Sequence, residues 1–102
     1  MTIHELARIE VKPDDEAALE AGAFAIEAFK QAPGCHAMLL HRSYDLPGCY
    51  WLIVRWDSAE ARHAFRQTTD FAHWQRVLGG YFAEPPMMGH AIMTEDAYNA
   101  YA

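Results

Sequence analysis

Chemistry in this chain would have to come from histidine, tyrosine and tryptophan side chains, because the familiar catalytic spacings are missing. No Ser-His-Asp set, paired carboxylates, phosphate-binding glycine loop or CxxC occurs. Six histidines are present, but His36, His41, His63, His73 and His90 form neither an i, i+4 pair on one helix nor an HxH on one strand. No metal site is expected from them. The residues that do converge lie around Tyr50-Trp51-Leu52-Ile53-Val54-Arg55-Trp56. Strand alternation puts Tyr50, Leu52, Val54 and Trp56 on one face. Pairing residues 44 and 49 across a hairpin adds Leu39 and His41 to it. His41 and Tyr50 are then polar groups in an apolar pocket, an arrangement that orients a small aromatic ligand. Histidine side chains in general ionise near neutral pH, which makes His41 the candidate base. A slip of one residue would substitute Leu40 or Arg42 for His41. The plainer role for the same residues is that Trp56 fills core and His41 makes an ordinary hydrogen bond.

Positioning these groups needs a strand covered on both faces. Six of the seven residues from Tyr50 to Trp56 are large and apolar or aromatic, and the run does not alternate until Arg55. Asp45-Leu46-Pro47-Gly48 is a turn: Pro47 presets φ and Gly48 accepts a positive φ. His36 to Tyr44 is therefore the partner strand. Asp57 or Ser58 caps a helix that runs to about Arg66. Upstream, residues 3–11 alternate with Ile3, Ala7, Ile9 and Val11 on one side, a first strand. A helix follows from Asp14, with Leu19, Ala23, Phe24, Ile26 and Phe29 on its apolar stripe, and stops by Gln31 before Pro33-Gly34. Thr68-Thr69-Asp70 caps another helix through Phe71, Trp74, Leu78 and Phe82, which Gly79-Gly80 ends or kinks. Trp74 reads most simply as core. Met87 to Thr94 is a last strand, and residues 95–102 are a tail of unassigned role.

The order β-α-β-β-α-α-β is the split βαβ arrangement of a ferredoxin-like α+β fold with an antiparallel sheet. Helices cover one sheet face. A second copy of the chain covers the other, which predicts a homodimer.

The totals narrow the function. The 102 residues make a single domain, 1–102 with a core over 3–94. A net charge of −6 and no basic run argue against nucleic acid as a partner. No apolar stretch approaches the ~18 residues of a membrane span. The N-terminus lacks the basic start and apolar block of a signal peptide, so a cytoplasmic protein is expected. Cys35 and Cys49 fall at opposite ends of the hairpin, beyond the reach of a disulfide.

Pro33-Gly34-Cys35, the hairpin, Trp56-Asp57-Ser58-x-Glu60, and Asp70-Phe71-x-x-Trp74 before Phe82-x-x-Pro85-Pro86 together resemble the antibiotic biosynthesis monooxygenase (ABM) family. The resemblance spans residues 3–94 and implies a dimeric α/β barrel. It further implies a cofactor-independent monooxygenase acting on a small electron-rich aromatic, a quinol or polyketide, in a sheet–helix cavity. Electron-rich phenols reduce O₂ once deprotonated, so such an enzyme needs a dry pocket and a base and no cofactor. On this reading His41 and Trp56 are catalytic, and Tyr50, Leu52, Val54, Phe65, Trp74 and Gln75 bind substrate. The match is partial. Where polyketide-oxidising members have an asparagine and a helix tyrosine, this chain has Leu52 and Arg62. At the three positions that work in haem-degrading members it has Ala7, Phe65 and Gln75. Two alternatives therefore stand beside the monooxygenase: a non-catalytic small-molecule binder of the same fold, and a haem-handling protein.

Overall fold

The computed structural model describes residues 1–22, 27–94 and 100. The apolar run becomes strand β3, Cys49–Trp56, and it is central. It pairs antiparallel with β1 (Ile3–Glu10) on one side and β2 (Cys35–Arg42) on the other. Strand β4 (Met87–Ala91) runs antiparallel along β1's free side, so the sheet order is β2-β3-β1-β4. This is the ferredoxin-like α+β order expected from the sequence.

The connections follow their local chemistry. A short 3₁₀ turn, Pro13–Asp15, leads into helix α1, Glu16–Gly22, and α2 spans Glu27–Lys30. Three residues of the expected first-helix stripe, Ala23, Phe24 and Ile26, lie outside the described residues. Cys49 N donates to Leu46 O at 3.2 Å with Gly48 at φ +77°, so Pro47 and Gly48 occupy the central positions of a turn that demands a positive φ. Ser58 caps α3 (Ala59–Arg66), its Oγ accepting from Ala61 N at 3.1 Å. Thr68 caps α4 (Thr69–Gly79) through Phe71 N at 3.1 Å. Helix α4 ends at Gly79, so Phe82 is not on its stripe; it forms an isolated bridge with Val11. The last strand is shorter than expected, ending at Ala91.

The hairpin register differs from expectation by one residue. Ser43 N donates to Cys49 O at 2.8 Å, and β2 then pairs Arg42 with Tyr50, His41 with Trp51, Leu40 with Leu52 and Met38 with Val54. Loop closure at Ser43 and Cys49 sets this pairing. His41 therefore lies on the opposite face from Trp56 and is exposed, while Leu40 takes the inward place. A bulge between Cys35 and Ala37 brings the strand's start back to Trp56. It lets His36 Nε2 meet the Asp57 carboxylate.

One sheet face carries Glu5, Ala7, Ile9, Tyr50, Leu52, Val54 and Trp56, all buried. Leu19, Phe29, Phe65, Phe71, Trp74 and Leu78 of the helical segments complete that core. The other face exposes Leu6, Leu39 and Trp51, with Trp51 45% accessible.

Candidate functional site

A cavity of about 170 Å³ lies between the inward sheet face and the helices. Its floor is strand chemistry: Ala7 and Ile9 of β1, and Leu52, Val54 and Trp56 of β3, whose side chains share a face because Ala7 pairs with Leu52 and Glu5 with Val54. Its walls are aromatic. Phe29 sits 4.6 Å from Phe65 and 5.0 Å from Trp74 between ring centroids, and Phe65 is 5.4 Å from Trp56 and 5.5 Å from Phe71. Tilted and edge-on pairs of this kind contribute about 0.5–1.5 kcal/mol each beyond area burial. Pro86 and Met88 line the β4 side.

One end of the cavity is polar. Glu5, a carboxylate only 7% accessible, accepts from Arg62 Nε at 2.7 Å and from the Trp56 indole Nε1 at 3.4 Å. Arg66 and His90 each approach the same Oε2 at 3.7 Å. Residues 62 and 66 are one helical turn apart on α3, so both guanidiniums reach the same carboxylate. Arg66 also lies over the Phe71 ring at 4.6 Å and forms part of the cavity wall. Trp74 is on the wall too, and its buried Nε1 has no hydrogen-bond partner among the described residues.

Of the residues singled out from sequence, Trp56, Leu52, Val54, Phe65, Trp74 and Gln75 all border this cavity. Tyr50 is fully buried on the same strand face but belongs elsewhere: its hydroxyl donates to Glu20 Oε2 at 2.6 Å. Burial first, and the Glu20 carboxylate second, push the Tyr50 hydroxyl well above the ordinary tyrosine range. His41 is outside the site altogether, because the register turns it to the other sheet face. Its assignment as base is withdrawn on that ground. Cys35 does not border the cavity, and burial pushes its thiol up, away from nucleophilic thiolate character.

Sequence reasoning missed Glu5, Arg66 and Phe29, and met Arg62 only as a position lacking a tyrosine. For Glu5 the signal was present. It occupies the same parity as Ile3, Ala7 and Ile9, so a charge was being carried on the buried face of an otherwise apolar alternation. The arginines carried no comparable signal.

The sequence profile of the antibiotic biosynthesis monooxygenase family matches residues 2–77. The chain belongs to this family. Among solved structures, an ABM-family protein of Bordetella bronchiseptica is 42% identical, covers 92% of this chain and 98% of its own, and superposes with a TM-score of 0.86. Rv0793 of Mycobacterium tuberculosis is 22% identical over 96% of this chain and 100% of its own, TM-score 0.81. SnoaB of Streptomyces nogalater, a cofactor-independent oxygenase, is 19% identical over 96% and 98%, TM-score 0.82. At those identities the last two attest the fold. No curated protein sequence matches the chain.

The ABM positions weighed from sequence can now be placed. Ala7, Phe65 and Gln75, which the family resemblance set against the working positions of haem-degrading members, all border the cavity. Ala7 and Phe65 offer no polar atom, and Gln75 offers an amide where an imidazole would be needed. Among the described residues no three His, Cys, Asp or Glu side chains are grouped to hold a metal ion. Nor is any described helix long and apolar enough to cross a membrane.

Proposed function

We propose that this ABM-family protein is a cofactor-independent monooxygenase of a small, single-ring, electron-rich aromatic such as a quinol, working as a homodimer. The observation that carries this reading is an aromatic-walled cavity of about 170 Å³ closed at one end by a buried carboxylate–guanidinium cluster. An apolar cavity of about 150 Å³ admits benzene, whereas pockets for larger organic ligands run to roughly 300–1,000 Å³. The size favours one ring over a fused polyketide or a haem.

The chemistry needs little from the protein. A hydroquinone that becomes a hydroxyquinone gains one oxygen atom and loses two hydrogens, and the second oxygen of O₂ leaves as water. All electrons come from the substrate. The ring must be ionised and kept from bulk water, so that charge in the pocket counts. The aromatic wall supplies the dry surround. With His41 on the far face, Glu5 is the acidic side chain on the wall, and its Oε1, held only by a long 3.4 Å contact to Trp56, accepts the substrate proton. The Trp56 and Phe65 rings orient the substrate ring.

A non-catalytic binder is the second reading. Leu52 supports it, standing in the wall where oxygenating relatives are expected to carry an amide. An oxygen electrode separates the two. Uptake of O₂ with single-ring hydroquinones, and ¹⁸O from O₂ in the product, is the expected result. No uptake across a broad quinol and phenol panel leaves the binder.

A further inference from the structure

The cluster at the cavity's polar end does not balance. Two guanidiniums, Arg62 and Arg66, share one carboxylate, Glu5, and they share it unequally: 2.7 Å for Arg62 against 3.7 Å for Arg66. Arg62 is thus hydrogen-bonded, while the Arg66 contact is an ion pair too long to consume a donor. Arg66 is the cation that also borders the cavity. Its side chain is 30% accessible, so its charge is only partly solvated. Trp74 is a further wall residue with an unused polar atom, its buried Nε1, which is again a donor, and the Gln75 amide adds both a donor and an acceptor. Apart from Glu5 and Gln75, the remaining wall side chains are apolar. Among the described residues, the polar groups of the wall are therefore mostly donors, and the set of Arg62, Arg66 and Glu5 carries one more positive charge than negative.

Such a surface is mismatched to a neutral arene and matched to a ring bearing an anionic oxygen. The geometry points to an aromatic anion, a ring carboxylate or an ionised phenol, as the ligand class of this cavity, with Arg66 as the residue that selects the charge. The inference rests on the cavity being the substrate site. Bound there, the anion completes the cluster: two arginines face one protein carboxylate and one ligand oxyanion. Arg66 also keeps its place over Phe71, which fixes the guanidinium at the wall.

Equilibrium binding of non-oxidisable probes tests this without requiring turnover. Charge-assisted hydrogen bonds are about twice as strong as neutral ones, so benzoate should bind roughly ten- to a hundredfold tighter than its isostere benzamide. Arg66→Gln should bring the two affinities within about threefold of each other, by loss for benzoate and with little change for benzamide. Arg66→Lys, which keeps charge but not the planar fork, should retain part of the preference. It also serves if the glutamine variant fails to fold, which thermal unfolding reads directly. The same change at exposed Arg76 should alter nothing. Para-nitrophenol compared above and below its own pKa separates the two anion types: tighter binding of its phenolate than of benzoate assigns an ionised phenol, and the reverse assigns a carboxylate. Equal affinity of the wild type for benzoate and benzamide overturns the inference and leaves the cavity reading intact. So does a preference undiminished in Arg66→Gln. Binding of neither probe removes the cavity reading itself, and the inference with it.

Discussion

Glu5 carries the greatest burden of any residue in the site. Its carboxylate is buried, holds Arg62, touches the Trp56 indole and is the proposed proton acceptor. Glu5→Gln keeps the shape but removes the charge, leaving Arg62 partly buried without its counter-ion. Urea unfolding should show a loss of about 1–3 kcal/mol, and O₂ uptake should fall by roughly 10²–10⁴-fold, the usual worth of a positioned base. A variant that is destabilised yet fully active would leave Glu5 a structural role alone. Tyr50 gives a second prediction at this scale. Its folded-state ionisation is pushed up by burial and by Glu20, while the unfolded chain ionises near pH 10. The folded state thus retains a proton that the unfolded state gives up. The associated stability is complete below about pH 10 and is lost as the pH rises from there toward the folded-state value. Unfolding measured between about pH 9 and 11 should weaken more steeply in wild type than in Tyr50→Phe. Parallel pH profiles would take Tyr50 out of the alkaline transition.

Elements place these residues by register and by close approach. The β2–β3 pairing turns His41 outward and Leu40 inward, so His41→Ala should leave turnover and probe binding within about twofold of wild type. A large, fold-independent loss would mean that the two strands pair differently from the register described. At the start of β2, Gly34 has φ +84° and its O accepts from Asp57 N at 2.7 Å. A Cβ there would meet Ala61 Cβ at 2.7 Å, so Gly34 is what lets the α3 helix seat against the hairpin. Gly34→Ala should cost about 1–3 kcal/mol through strain and overlap, read as a lower thermal midpoint. Because Arg62 and Arg66 sit on α3, the same change should also weaken benzoate binding. Unaltered stability would mean that α3 yields more easily than its packing implies.

At the scale of the molecule, the outward sheet face is unfinished. Leu6, Leu39 and Trp51 are 39%, 50% and 45% accessible on one side of a sheet whose other side faces the helices. Patches of this kind mark interaction surfaces, and a face shared by identical sheets is self-complementary across a two-fold axis. Light scattering should give about twice the 11.6 kDa chain mass. Trp51→Glu, which sets a charge in the middle of that face, should shift the protein to monomer. A monodisperse wild-type monomer at micromolar concentration would remove the homodimer from the proposal.

The sequence by itself determined the element order, the central place of β3, the turn at Pro47-Gly48 and the caps at Ser58 and Thr68, because each rests on chemistry within a few residues. Periodicity also named most of the cavity's walls. It could not set the β2 register. Leu39 and Leu40 are adjacent, so either register buries a leucine, and the alternation that normally forbids a slip is silent there. Only the closure of the hairpin between Ser43 and Cys49 chose between them. The polar end of the cavity was equally out of reach. Glu5 and Arg62 are 57 positions apart, and no local rule links a strand carboxylate to guanidiniums on a helix most of a domain away. They meet because α3 packs across the sheet, and that packing is a property of the fold.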